Sequence, residues 1–382
     1  MKKLTIGFFI DSYFPLIDGV TNVVHNYATR LAKHANVIVF CPQIDKKYDD
    51  SIYNYKIVRC KAFKVGFLDY KLSTPKIDGK FKKILKNSNL DIVHIHSFFA
   101  IGKIGLNYAK KHNIKAISTI HSQYQIDIDK NIRVKFIAKK ILKMILKQIN
   151  RSDEIFAVNS KLADLYNEMG VKKKINVLAN ATDLIYFKDD SEILKLKTKY
   201  DIKAEKVLLF VGRIDKIKNL EFVVNVLKKL KEKQFQFKMI FIGDGRHKKD
   251  IEKMCLNYQL NNVIFLGKIQ NRQEIAKYFR VADLFIFPSI YDSSSLVQIE
   301  AASQKLPAIF LKDTITASNI TNNFTGYIEE FNEEKFADRI INILKDEKKH
   351  HEIRENVYEK IYKKWDDLTD DIYQYYLKKI KE

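Results

Sequence analysis

Residues 4–10, Leu-Thr-Ile-Gly-Phe-Phe-Ile, form a near-continuous apolar run that stops at Asp11, the pattern of a strand covered on both faces. The polar stretch 11–22 carries Pro15 and Gly19, and helical spacing of apolar positions resumes over 23–33. A second strand is predicted over 35–40, ended by Cys41-Pro42. Strand, loop, helix, strand is how a parallel α/β unit begins, because parallel neighbours need a crossover connection. The same alternation predicts strands over 57–60, 91–96, 116–120, 154–158 and 175–178, with helices over 101–112 and 160–169. Residues 64–80 mix Pro75 and Gly79 with polar and apolar positions and read as a mobile connection.

A polar, charge-rich stretch at 189–206 marks a boundary, after which the alternation starts again. Strands are predicted over 207–211, 237–242, 263–266, 284–287 and 308–311, separated by helix-like segments such as 220–231. Residues 333–380 are helical, charged and aromatic, with Trp365, Tyr373, Tyr375 and Tyr376 near the end. The fold class is therefore α/β, with two similar doubly wound halves bracketing a cleft. The domains are predicted as 1–188 and 189–365, followed by a C-terminal helix, 366–382. That helix either finishes the second domain or packs back on the first. In such sheets ligands sit at the carboxyl ends of the strands, which singles out Gly212, Gly243 and Pro288.

Composition narrows the partners. Apolar residues are 46% of the 382, with 25 Phe and 20 Tyr, enough to fill sizeable cores and to exclude a disordered polyelectrolyte. The three cysteines, Cys41, Cys60 and Cys255, are odd in number and far apart, which excludes a disulfide framework and a CxxC-type metal site and fits a reducing compartment. Lys and Arg outnumber Asp and Glu by 68 to 46, a net charge of +22. This favours an anionic partner without choosing among nucleic acid, phosphorylated substrate and anionic membrane. No apolar run approaches the roughly 18–20 residues of a spanning helix. The run at 4–10 is too short, and lacks the cleavage signal, for a secretory leader.

The loops carry the candidate chemistry. Gly19 lets a ligand approach the backbone where a helix begins, and the helix start offers unpaired N–H groups for a diphosphate; an ordinary strand-to-helix turn favours glycine too. Arg213 and Lys218 follow the 207–211 strand and could grip a diphosphate from one loop, although any one lysine in so basic a chain is more often a solvated charge. Ser293, Ser294 and Ser295 precede a helix predicted over 296–304, as caps or as donors to phosphate or sugar oxygens. Glu300 stands eight residues after Asp292, so a loop carboxylate and a helix carboxylate could meet different hydroxyls of one ligand; the alternative is a cap and a surface salt bridge. His94 and His96 alternate on one strand face without a third metal ligand and read as structural. His121 ends the 116–120 strand and is the strongest of the three as a ligand contact. Finally, residues 130–151 contain eight Lys or Arg, many apolar residues and no acidic one. They form either an interfacial helix facing anionic lipid or a basic helix packed on its domain.

Taken in order, Gly19, His121, the Arg213 and Lys218 pair, and the Asp292-to-Glu300 segment resemble glycosyltransferase family 4, a retaining family, over nearly the whole chain. The resemblance implies a GT-B fold, two Rossmann-like domains facing each other across a cleft, and transfer of a sugar from a nucleotide diphosphate-sugar. It places the donor on the C-terminal domain and the acceptor on the N-terminal one. It implies that Gly19 lies beside the donor diphosphate and His121 near the transferred sugar. Arg213, Lys218, His121 and Asp292 would be catalytic, with Ser295, Leu296 and Glu300 joining Gly19, Arg213 and Lys218 in holding the donor. Glu300 takes the second position of the family's Glu-x7-Glu element and would bond the ribose; Asp292 takes the first, one methylene shorter. Ser293-Ser294-Ser295 stands where Phe-Gly is common, and Asn180-Ala181-Thr182-Asp183 replaces the usual Asn-Gly-x-Asp.

The chain especially resembles bacterial diacylglycerol glucosyltransferases. This leads us to expect a hexosyltransferase of glycolipid synthesis at the cell envelope, with UDP-glucose as donor and diacylglycerol as acceptor. The enzyme would be cytoplasmic and peripheral on the inner face of the plasma membrane, held through 130–151. A capsular or cell-wall glycosyltransferase using a saccharide or polyprenyl-linked acceptor is the alternative. No metal, no resident cofactor and no nucleic-acid partner is expected, and the oligomeric state stays open.

Overall fold

The first apolar run forms β1 (Thr5–Phe9), buried at every position, as the centre of a parallel sheet covered on both faces requires. The computed structural model describes residues 3–382 except 17, 65–70, 133, 291, 294 and 295. The chain divides into two units, one built from the residues up to Asn180 and from Trp365 onward, the other from Ala181–Lys364. The division thus falls at 180/181 rather than 188/189.

In the first unit β1 is followed by α1 (Gly19–Leu31), β2 (Asn36–Pro42), β3 (Lys56–Cys60), β4 (Ala62–Lys64), β5 (Lys71–Ser73), α2 (Gly79–Lys86), β6 (Ile92–Ile95), α3 (Ala100–His112), β7 (Ala116–Ile120), α4 (Tyr124–Asn131), α5 (Lys135–Ile149), β8 (Glu154–Ala157), α6 (Ser160–Glu168) and β9 (Ile175–Val177). Among the described residues the main sheet runs β3-β2-β1-β6-β7-β8-β9, with parallel pairing throughout. The α1 helix begins at Gly19, ahead of the predicted 23, because Asp18 caps it, its carboxylate accepting from Thr21 N at 2.7 Å. Parts of the expected connection at 64–80 are ordered as the antiparallel β4–β5 pair and the start of α2; 65–70 lie outside the described residues.

The second unit contains α7 (Asp190–Lys199), β10 (Lys206–Val211), α8 (Leu220–Glu232), β11 (Phe237–Ile242), α9 (Lys248–Asn257), β12 (Val263–Phe265), α10 (Arg272–Val281), β13 (Leu284–Phe287), α11 (Leu296–Ser303), β14 (Ala308–Leu311), β15 (Tyr327–Glu329), α12 (Glu333–Lys345) and α13 (Glu347–Lys360). Its sheet is parallel, in the order β12-β11-β10-β13-β14-β15, so the strand order reverses between β10 and β13. Such a reversal opens the crevice that binds ligands in doubly wound sheets. Its core is aromatic: Phe210 packs against Phe241 and Phe287 with ring centroids 6.0 and 6.4 Å apart, each such ring contributing about 1.5–3 kcal/mol by burial. The α7 helix occupies what the sequence presents as a polar boundary; it buries only Ile193 and Leu196, too narrow an apolar stripe to stand out.

The last helix, α14 (Trp365–Lys381), belongs to the first unit. Its Trp365 ring meets Tyr27 of α1 edge to face at 5.6 Å, and Asp366 accepts from Arg30 Nε at 2.7 Å.

Candidate active site

At the reversal of the second sheet, the loops after β10 and β13 approach each other. Next to it the loops after β10 and β11 are crowded: a Cβ on Gly243, whose φ is +142°, would stand 1.8 Å from the carbonyl oxygen of Gly212, so only glycine lets those two loops run side by side. Lys218 ends a short 3-10 turn, Lys216–Lys218, and Asn219 follows in the left-handed conformation to open α8 without a side-chain cap. The Lys218 ammonium pairs with the Asp292 carboxylate and lies 5.2 Å from the centre of the Phe287 ring. Both partners are largely buried, with 13% and 21% of their side chains exposed. Arg213 is different: 68% of its side chain is exposed and its Nε lies 2.6 Å from Asp215 Oδ2. The structure therefore gives the two expected diphosphate cations separate carboxylate partners, with Lys218 the sheltered one.

Glu300 projects from α11 and is buried. It accepts from Arg272 Nη1 at 2.7 Å, while Arg272 Nη2 reaches Asp183 Oδ1 at 2.7 Å and Thr182 Oγ1 at 3.2 Å. Burial pushes the Glu300 carboxyl above its ordinary pKa, and the Arg272 guanidinium opposes that shift. Sequence reasoning missed Arg272. The one local signal is Asn271, which caps α10 by accepting from Gln273 N and Glu274 N and so sets Arg272 at the helix start. Leu296 is the first residue of α11 and half-buried; Ser295 lies outside the described residues.

In the first unit the equivalent reversal, between β1 and β6, is closed by protein. Asp11, just past β1, accepts from Ser97 Oγ at 2.8 Å, Ile101 N at 2.9 Å and Phe99 N at 3.1 Å, capping α3, whose own N-cap residue Phe99 makes no side-chain cap bond. Burial raises the Asp11 pKa, against these hydrogen bonds. A carboxylate thus fills the anion position at that helix start, a role its place at the end of an apolar run did not disclose. Gly19 stands at the first position of α1, where an added Cβ would meet nothing within 4 Å, so packing does not demand a glycine there. His121 is buried, with Nε2 2.9 Å from His96 Nδ1; desolvation pulls its pKa down to about 3, so it is neutral near pH 7.

The basic segment 130–151 is not one helix. The chain leaves α4 at Asn131, passes through extended backbone at Ile132 and Val134 and re-enters a helix at Lys135; Arg133 lies outside the described residues. Much of its apolar side is turned inward: Ala138, Ile145 and Ile149 of α5 are buried. The exposed apolar residues are confined to the start, Val134 at 55%, Phe136 at 76% and Ile137 at 46%, with Lys135, Lys139, Lys140, Lys143 and Lys147 exposed beside them. No helix among the described residues is long and apolar enough to cross a membrane.

The sequence profile described as "Glycosyltransferase Family 4" matches residues 17–185, and that described as "Glycosyl transferases group 1" matches 192–360. Over 370 residues the chain is 25% identical to an alpha-monoglucosyldiacylglycerol synthase of Streptococcus pneumoniae, covering 93% of this chain and 82% of that protein. Over 378 residues it is 27% identical to the N-acetyl-alpha-D-glucosaminyl L-malate synthase of Bacillus anthracis, covering 95% and 93%. The crystal structure of Anabaena HepE in complex with UDP and glucose superposes with a TM-score of 0.75 at 14% identity, covering 98% of this chain and 99% of that one. With two Rossmann-like units of the GT-B fold, each matched by its own profile, the chain belongs to glycosyltransferase family 4.

Proposed function

We propose that this glycosyltransferase moves a hexose, with retention of anomeric configuration, from a nucleotide diphosphate-sugar to a membrane lipid, with UDP-glucose and diacylglycerol as the first donor and acceptor to try. The observation that carries the donor half is the sheltered Lys218 at the β10–β13 reversal, beside glycine loops and a helix start without a side-chain cap. A diphosphate there meets a fixed cation and backbone N–H groups, which stabilise charge as it develops on the leaving oxygen. Arg213, free to swing from its exposed pair with Asp215, adds a second cation. Glu300, already oriented by Arg272, is assigned to the ribose hydroxyls, and Asp292 to hydroxyls of the donor sugar.

In the transfer itself the bond from the anomeric carbon to the diphosphate oxygen breaks, and a bond from that carbon to the acceptor oxygen forms on the same face. The acceptor proton passes to the departing diphosphate. No resident cofactor takes part in this account. Gly19 leaves room for the donor diphosphate, and His121 is assigned to the transferred sugar.

The lipid acceptor is supported by the exposed apolar tip Val134, Phe136 and Ile137 within a lysine-rich surface, suited to the headgroup boundary of an anionic leaflet, and by the glucosyldiacylglycerol synthase relative. The test is to incubate the protein with UDP-glucose, UDP-galactose, UDP-N-acetylglucosamine and GDP-mannose, each with and without anionic vesicles containing diacylglycerol. Nucleoside diphosphate release and intact product mass are then measured together. A lipid one hexose heavier from one donor is expected. Vesicle-bound protein giving no lipid product from any donor overturns the diacylglycerol assignment and turns the search to saccharide or polyprenyl-linked acceptors.

A further inference from the structure

The first sheet buries a polar column on the face covered by α1 and α14. His94 of β6 and His96 just after it alternate onto that face, and Thr119 and His121 join them from β7 and the residue after it. Both ring nitrogens of His94 are used, Nδ1 lying 2.5 Å from the Tyr376 hydroxyl of α14 and Nε2 2.7 Å from Thr119 Oγ1. His96 Nδ1 meets His121 Nε2 at 2.9 Å, but His96 Nε2 is buried with no hydrogen-bond partner. The His96 ring lies 5.3 Å from Phe8 and 6.2 Å from Tyr27. His121 Nδ1 has no protein partner among the described residues and is not among their buried unpaired atoms, so it opens outward.

Desolvation keeps both rings neutral, lowering the pKa of His96 well below its ordinary value as it does that of His121. In a contact between two neutral imidazoles, one nitrogen donates and the other accepts. If His121 donated from Nε2, His96 would accept at Nδ1 and carry its proton on Nε2, leaving a buried N–H against aromatic rings, which replace an acceptor only weakly. The reverse arrangement places the His96 proton in the hydrogen bond and leaves only a lone pair unused. Orphaned buried donors are rarer than under-used acceptors, so the second arrangement is the less costly.

We propose that His96 is a positioning residue that donates from Nδ1–H to His121 Nε2, locking His121 in its Nδ1–H tautomer so that it offers its ligand a hydrogen-bond donor and not a base. The inference rests on the proposed placing of His121 beside the transferred sugar, where the accepting atom is a sugar hydroxyl oxygen. It also deepens that reading, because a donor at this point selects for an oxygen and takes no proton from the acceptor.

The direct test needs neither donor nor acceptor substrate. Protein labelled with ring-15N histidine is examined by NMR near pH 7.5, and the spectrum of His121→Asn assigns the His121 signals. The proposal expects a protonated Nδ1 and an unprotonated Nε2 on His121, retained in His96→Asn, whose amide can place an N–H where the imidazole N–H stood, and lost in His96→Phe. A proton on Nε2 of His121 in the unaltered protein overturns it, as does an unchanged tautomer in folded His96→Phe. Should His96→Phe not fold, the tautomer of the unaltered protein and the His121 variants decide. His121→Asn, with an N–H near the Nδ1 position, is expected to keep transfer about tenfold higher than His121→Gln, whose amide mimics Nε2; the opposite order overturns the proposal. If the tautomer is as expected but no sugar is transferred from any donor, the enzyme assignment fails while the positioning of His121 by His96 stands.

Discussion

Lys218 and Asp292 form an ion pair across the point where the strand order of the second sheet reverses, one from the loop after β10 and the other from the loop after β13. In the free protein the cation assigned to the diphosphate is therefore already engaged, and a bound diphosphate must share it or displace the carboxylate. Asp292→Asn is expected to tighten binding of a nucleoside diphosphate by about five- to tenfold, the worth of one partly buried charge pair, while lowering transfer because the sugar loses its carboxylate contact. Titration calorimetry with UDP beside initial rates reads both. Weaker UDP binding in the variant would show that Asp292 supports Lys218 instead of competing for it.

Arg213 and Lys218 are both cations of one loop, but their surroundings separate them. Lys218→Met is expected to lower kcat about 10²- to 10³-fold, the usual cost of removing a preorganised charge from a leaving group. Arg213→Met is expected to lower kcat as well, yet to leave stability within about 0.5 kcal/mol, because its exposed pair with Asp215 contributes little. Thermal unfolding and rate measurements on the same preparations check this. An Arg213→Met protein with an unchanged rate would remove Arg213 from the site.

Arg272 holds Glu300 on one side and Asp183 on the other. Removing it leaves a buried carboxylate without its counter-charge, which costs several kcal/mol where burial is complete and about 2 kcal/mol with Arg272 itself part-exposed. In a double-mutant cycle Arg272→Ala and Glu300→Gln are expected to couple by about 1–3 kcal/mol in stability. Both are also expected to raise the donor KM more than they lower kcat. Additive stabilities would mean that the pair is incidental to the orientation of Glu300.

Much of this was legible from the chain, and the failures have physical causes. β7, β11, β13 and β14 lie at their predicted residues, because unbroken apolar runs bounded by turns leave few alternatives in a buried parallel sheet. The break between α4 and α5 was not visible, since Ile132 and Val134 continue the apolar and basic pattern while their backbone is extended. Arg272 is one cation among 68, and its value comes from a fold that sets α10 beside α11. The alternation of His94 and His96 was apparent, but not their partners: His121 and Tyr376 reach them only through the β6–β7 register and the return of α14 to the first unit.

The exposed start of α5 makes the membrane reading specific. Since Ile145 and Ile149 are spent on the protein core, insertion has to come from Val134, Phe136 and Ile137. Phe136→Ser is expected to weaken binding to anionic vesicles about tenfold or more, from the roughly 1.5–3 kcal/mol of a buried aromatic. Replacing Lys139, Lys140 and Lys143 by Gln is expected to cost on the order of 1 kcal/mol each and to reduce the dependence on salt. Vesicle co-sedimentation at two salt concentrations separates the two contributions. Binding unaffected by either change would place the membrane contact elsewhere.

The buried histidine column makes the protein sensitive to acid. Desolvation lowers His94 and His121 to about 3 from an ordinary 6.5, and also holds His96 well below its ordinary value. An unfolded chain therefore takes up these protons near pH 6.5, whereas the folded one does not take up those of His94 and His121 until about pH 3. Between those values the unfolded state binds more protons, so the stability contributed by each neutral ring is complete above pH 6.5 and declines as the pH falls. At about pH 5 the loss is on the order of 2 kcal/mol per histidine. Asp11 and Glu300, raised by burial, act in the opposite sense, but they are common to the protein and its variants. Urea unfolding near pH 7.5 and pH 5 is expected to show that His121→Asn loses about 2 kcal/mol less on acidification than the unaltered protein. An equal loss in both would mean that His121 takes up its proton in the folded state near its ordinary pKa, in which case the ring is not kept neutral at the site.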